Sequence, residues 1–243
     1  MVPTPLTPLR LAQITDMHLL SEDNGELHGV NTGRAFRRVL AQVASLEPDL
    51  LLVTGDIAEH GDESVYRRLQ EDLAPFPRRM VLPGNHDLGD GYPRFFNNDP
   101  VQVHSLGGWT LLGVNSAGEY LTGEQKARCL DVLDQADRVL LILHHPLVKL
   151  GRALFDEVWI IKNRDEFYGA LRNHPSLRGV VFGHTHAVHR IEDGPVRHLG
   201  APATSFYLEA HPTEHRFEMI VRHGFQMIEL GDTVQASAHF LDG

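Results

Sequence analysis

Short apolar runs punctuate this chain, and they predict buried strands over residues 9–14, 49–54, 79–82, 139–143 and 178–182. The second run, with Leu50-Leu51-Leu52-Val53 inside it, shows no alternation, as expected of a strand covered on both faces. Between the runs the period changes to that of a helix. Thr32 is placed to cap a helix to about Leu46, with Phe36, Val39, Leu40 and Val43 on one face and Pro48 closing it. Residues 63–73 read as a short helix broken by Pro75 and Pro77. Thr122 opens a helix to about Ala136, and Asn163 or Asp165 one to about Asn173. Hairpins are predicted for 101–106 with 109–115 across Gly107-Gly108, for 188–191 with 196–199 across 193–195, and for 217–221 with 225–230 across His223-Gly224. Residues 19–30, 88–100 and 147–161 carry little periodicity and read as loops. Repeats, linkers and breaks in composition are absent, so one domain over 1–243 is expected.

Each of the five runs ends in residues that suit metal ligation. They are Asp16 and His18, Asp56, Asn85 and His86, His144, then His184 and His186. Taken singly, each is an ordinary polar turn. Together they fall at the carboxyl ends of predicted strands, where α/β proteins build their sites. Asp16/His18 and His184/His186 are spaced i, i+2, which in extended chain puts both side chains on one side. With His86 set aside as a histidine able to move a proton, seven oxygen and imidazole donors without a thiolate suit Mn, Fe, Zn or Co. They are too many for one ion with open positions, and fit two ions ~3.5–4 Å apart sharing a carboxylate.

Composition narrows the chemistry. The formal charge of −10 makes a nucleic-acid polymer a poor partner, whereas bound metals can invert the sign locally for a phosphate ester. The single cysteine, Cys129, excludes an internal disulfide and fits a reducing, cytoplasmic location. Residues 1–8 hold three prolines and no leader pattern, and no run approaches the ~20 apolar residues of a membrane span. Histidine is the outlier, at 16 residues. His104, His189 and His198 read as surface or packing residues. Tyr92, Phe95, Phe96 and Trp159 read first as core, with stacking on a base as the alternative.

The ordered set Asp-x-His, Gly-Asp, Gly-Asn-His-Asp, His-x-Pro and Gly-His-x-His resembles the calcineurin-like metallophosphoesterases. The His-His-Pro strand end, the run Asn163 to Phe167 and the stretch 224–230 look closest to the bacterial class III cyclic-nucleotide phosphodiesterases. The resemblance implies a four-layer α-β-β-α sandwich of two mixed β-sheets flanked by helices. It implies one metal on Asp16, His18, Asp56 and His186, and a second on Asp56, Asn85, His144 and His184, with Asp56 bridging and catalytic. His86 matches the histidine that contacts the phosphate. His145 and Asp87 would stand behind the ligands. Glu59 replaces an aspartate that, in the family, orients this histidine. The implied activity is hydrolysis of a small phosphodiester, 3′,5′-cyclic AMP first, by a hydroxide bridging the two metals. Phosphomonoester or glycerophosphodiester hydrolysis, and a non-catalytic binding module, are the alternatives. Relatives suggest a homodimer.

Overall fold

The structure, a computed structural model, describes residues 8–241. Residues 1–7, on which the leader reading mostly rests, lie outside it, as do 242–243. Strands β1 (Leu9–Ile14), β2 (Leu50–Thr54) and β3 (Arg79–Leu82) run parallel. On their other edge follow β12 (His223–Leu230) and β13 (Val234–Leu241), both antiparallel to their neighbours, giving a five-stranded mixed sheet. The second sheet has the order β4-β5-β6-β7-β9-β8. Its strands are β4 (Val101–Leu106), β5 (Trp109–Val114), β6 (Val139–Ile142), β7 (Leu177–Phe182), β8 (His189–Asp193) and β9 (Val196–Gly200). The four in the middle are parallel, and β4 and β8 close the edges antiparallel.

Alternate side chains of the apolar strands serve different layers. Leu50 and Leu52 join Leu11, Met80, Leu140, Ile142 and Val181 between the two sheets. Leu51 and Val53 face the other way, onto Phe36, Val39 and Val43 of α1 (Thr32–Ser45) and Val65 and Leu69 of α2 (Glu63–Asp72). The outer face of the second sheet, with Leu141 and Val180, packs on Cys129 and Leu133 of α4 (Gly123–Gln135) and Phe167 and Leu171 of α5 (Arg164–Leu171). The expected four layers are present. Both faces being buried is why the runs lack alternation, and each fully buried leucine stabilises by roughly 1.5–3 kcal/mol.

Helix ends follow local chemistry with one shift. Thr122 and Gln125 form the expected capping box of α4. Asn31, not Thr32, caps α1, its Oδ1 accepting from Arg34 N at 2.7 Å. The Thr32 hydroxyl instead donates to the His18 carbonyl at 2.9 Å. This ties the helix start to a site strand end.

Three features depart from the sequence reading. The hairpin expected across His223-Gly224 is absent: Phe217–Ile220 (β11) pairs with Tyr207–Ala210 (β10), and 223–230 pairs with β1 and β13. Gly224 lies in extended chain inside β12. A Cβ there would meet Pro202 Cγ at 2.8 Å, so this glycine admits a close neighbour rather than turning the chain. Strands β10 and β13 were not anticipated. The loops 88–100 and 147–161 contain one turn of helix, α3 (Tyr92–Phe95), and a π-helical turn, Leu154–Val158.

Candidate metal centre

All five strand ends meet at one edge of the two sheets. His18 Nε2 lies 3.1 Å from His186 Nε2 and 3.8 Å from Asp56 Oδ2. His186 Nε2 lies 3.6 Å from Asp16 Oδ1. His144 Nε2 lies 3.3 Å from Asp56 Oδ2 and 3.2 Å from His184 Nδ1. Donor atoms of Asp16, His18 and His186 fall within 4.8 Å of one another, as do those of Asp16, Asp56 and His144. The sequence-expected donors thus share one site, with Asp56 between the two groups, and Asn85 lines the same cleft.

The backbone at these positions is strained. Asp16, His18, Asp56, His184 and His186 all have φ between 46 and 67°, a region that non-glycine residues seldom occupy. Each such residue costs about 1–3 kcal/mol unless its surroundings enforce it. Asp16 N donates to Gly55 O and His18 N to Asp56 O, both at 3.0 Å. Ser205 Oγ donates to the Asp16 carbonyl and Thr204 Oγ1 to that of Thr15, each at 2.6 Å. Gly84 is required by crowding, because a Cβ there would overlap the Asp56 carboxylate and backbone nitrogen.

The imidazole tautomers are fixed from behind. His144 Nδ1 donates to the Thr54 carbonyl at 2.7 Å, and His186 Nδ1 to that of Phe206 at 2.9 Å. His18 Nδ1 faces Glu59 Oε2 at 2.6 Å. Each ring, once deprotonated, turns an Nε2 lone pair into the cluster, and the Nε2 atoms of His18 and His186 stand 3.1 Å apart. Burial opposes the charged form of His144, but Asp56 outweighs it and raises His144 to about 9. Burial pushes His186 down to about 3, and burial also lowers His184, so these rings stay neutral at neutral pH. Burial opposes ionisation of Asp56, but His144 and His18 outweigh it and hold the carboxyl well below the usual range. Asn85 Oδ1 and His184 Nε2 are buried without a partner. Converging lone pairs, an ionised carboxylate and an orphaned amide oxygen are what hard and borderline cations accept, so the residues fit a metal pair.

The remaining expected residues divide. His86 Nδ1 donates to the Glu59 carbonyl at 3.0 Å, and its backbone N–H donates to Asp56 Oδ1 at 2.9 Å. The Glu59 carboxylate bonds His18 and stands 3.5 Å from His86. The longer arm thus serves a different histidine from the one the resemblance implies. Asp87 faces away from the cluster, accepting from the N–H groups of Ile57, Ala58 and Gly84 and from the Tyr66 hydroxyl. His145 is buried, with Nδ1 3.1 Å from Ser116 Oγ and its ring centroid 4.2 Å from that of His184. Burial pushes it down to about 3.

A cleft of about 460 Å³ opens from the cluster. Its far wall is apolar: Leu27, Trp159, Phe206, Leu208, Phe217 and Met219. Of these, only Trp159 was a candidate from sequence. Tyr92, Phe95 and Phe96 pack around Tyr66 instead. Periodicity could not flag Phe217 and Met219, because their strand pairs locally and outside both large sheets.

A sandwich of two mixed sheets that gathers carboxylates and imidazoles at its strand ends defines a metal-dependent phosphoric ester hydrolase. The chain belongs to the calcineurin-like phosphoesterase family, whose model matches residues 9–188. It is 30% identical over 92% of its length, and 88% of the relative's, to a protein of Nostoc sp. named 3′,5′-cyclic-nucleotide phosphodiesterase. It is 28% identical to the 3′,5′-cyclic adenosine monophosphate phosphodiesterase CpdA of Pseudomonas aeruginosa, covering 94% of this chain and 89% of that one. In fold it resembles a dimetal phosphatase from Danio rerio, with a TM-score of 0.61 and 13% identity over 96% of this chain and 99% of that one. No helix among the described residues is long and apolar enough to cross a membrane.

Proposed function

We propose that this protein hydrolyses small phosphodiesters, 3′,5′-cyclic AMP foremost. The observation that carries the reading is the set of overlapping carboxylate and imidazole groups, Asp16, His18 and His186 beside Asp16, Asp56 and His144, next to a cleft sized for a small molecule. The names of the Nostoc and Pseudomonas relatives support the diester. One ion would be held by Asp16, His18, Asp56 and His186, the other by Asp56, Asn85, His144 and His184, with Asp56 shared. When bound, the ions supply positive charge that polarises the phosphoryl group and activates water for attack at phosphorus.

The chain's own groups do the positioning. His86 Nδ1 is occupied by the Glu59 carbonyl, so Nε2 is the atom that exchanges a proton toward the cleft. Protonated, it donates to a phosphate oxygen or gives its proton to the departing alkoxide. Its backbone N–H, on Asp56 Oδ1, fixes its distance from the shared carboxylate. Glu59 holds the His18 ring in the ligating tautomer.

The test is a hydrolysis panel with added Mn: cyclic AMP, cyclic GMP, a chromogenic diester, its monoester and a glycerophosphodiester. Cyclic nucleotides are expected to give the highest kcat/KM. A preference for the monoester or the glycerophosphodiester would overturn the proposal and leave the metal centre standing.

A further inference from the structure

The apolar end of the cleft has no part in the chemistry above, and its construction is specific. The π-helical turn Leu154–Val158, closed by Trp159 N donating to Leu154 O at 3.0 Å, delivers the Trp159 ring to the cleft. The Asp156 carboxylate braces the approach to that turn, accepting from the N–H groups of Leu150, Gly151 and Arg152 at 2.6 to 3.2 Å. The β10–β11 hairpin supplies the facing Phe217. The two rings stand 5.9 Å apart between centroids, inclined by 48°, and Trp159 lies 5.6 Å from His184. Loop and hairpin are joined by Ala153 N donating to Pro212 O at 3.1 Å and by His215 Nε2 with Glu157 Oε2 at 2.8 Å. Phe217 is 45% exposed and Trp159 half-buried, so both offer ring surface to a ligand. Besides the strand-end groups and Glu59, the polar side-chain groups lining the cleft among the described residues are His28, at its rim, and the indole N–H of Trp159.

We infer that Trp159 and Phe217, which touch each other, form one aromatic platform on which a planar nucleobase stacks, and that this platform selects base-bearing esters over aliphatic ones. This rests on the phosphodiesterase reading for what occupies the metal end. The physical ground is that aromatic faces stack on a base with or without hydrogen bonds to its edge, and an aliphatic group offers no such face. The π turn places the tryptophan independently of either sheet, and the hairpin ties hold the two rings together.

The experiment measures binding of AMP, GMP and ribose 5-phosphate to the Mn-loaded protein by calorimetry, and by quenching of tryptophan emission. Trp109, the other tryptophan, is buried, so the quenching reports Trp159. AMP and GMP are both expected to bind about tenfold or more tighter than ribose 5-phosphate. Trp159→Ala and Phe217→Ala should each remove most of that advantage without changing the affinity for ribose 5-phosphate. Trp159→Phe should keep the affinity and lose the quenching. Equal affinity for AMP and ribose 5-phosphate, or an advantage that survives both alanine variants, would overturn the platform. The two readings fail separately. Quenching by AMP without hydrolysis of any cyclic nucleotide sinks the proposed function, and hydrolysis without a base advantage sinks the platform.

Discussion

At the scale of single residues the proposed mechanism separates ligation from proton handling. His86 bonds protein groups through its Nδ1 and backbone N–H, and its side chain is 35% exposed at the cleft. His86→Ala is therefore expected to leave two metals bound, by elemental analysis, while kcat falls by about 10²- to 10⁴-fold. Unchanged turnover would remove His86 from the mechanism. Asp56 lies within 4 Å of both His18 and His144. Asp56→Asn should lower the metal content below two per chain; two tightly held ions in that variant would rule out the shared carboxylate. Glu59 acts one step further back, on His18 Nδ1. Glu59→Ala should weaken metal affinity about 10- to 100-fold without abolishing binding, measured by competition with a chelating dye. An affinity equal to wild type would show that the His18 tautomer needs no carboxylate.

At the scale of elements, the β8–β9 hairpin carries a buried polar pair. His198 on β9 is fully buried, its Nε2 2.7 Å from the Tyr168 hydroxyl of α5. Burial pushes its pKa down to about 4 from the ordinary 6.5. Below pH 6.5 the unfolded chain takes up a proton that the folded one refuses, so His198 costs stability progressively as pH falls from about 6.5 to 4. Urea midpoints of wild type should drop across that window. Those of His198→Gln should drop less, and parallel curves would mean that the ring titrates normally in the fold. The elements that escaped sequence reading share a cause. Nothing local separates 217–220 from a partner of 223–230, and only long-range pairing with Leu9–Gln13 takes β12 away from β11. Likewise Gly224 next to His223 imitates a turn, while its role is to make room for Pro202.

At the scale of the whole molecule, the metal centre joins the two sheets. Asp16, His18, Asp56 and Asn85 come from the first, and His144, His184 and His186 from the second. Ions held there, as proposed, would cross-link the halves and favour only the folded state. Chelation should lower Tm, and Mn at one hundred times its Kd should restore about 2.7 kcal/mol. A Tm indifferent to chelator would mean that the sheets are held without the metals. The apolar runs, the capping residues of α4 and the five polar strand ends were legible in the sequence, because strand burial, helix caps and ligand chemistry are set by neighbouring residues. The sequence alone thus determined the buried strands and the candidate donors at their ends, while the four-layer arrangement followed from the family resemblance. The tertiary structure alone decided that Glu59 serves His18, that Asp87 braces backbone away from the cluster, and that Trp159 meets Phe217 across the cleft. Those outcomes depend on side-chain reach and on pairings between segments distant in the chain, which no local pattern encodes.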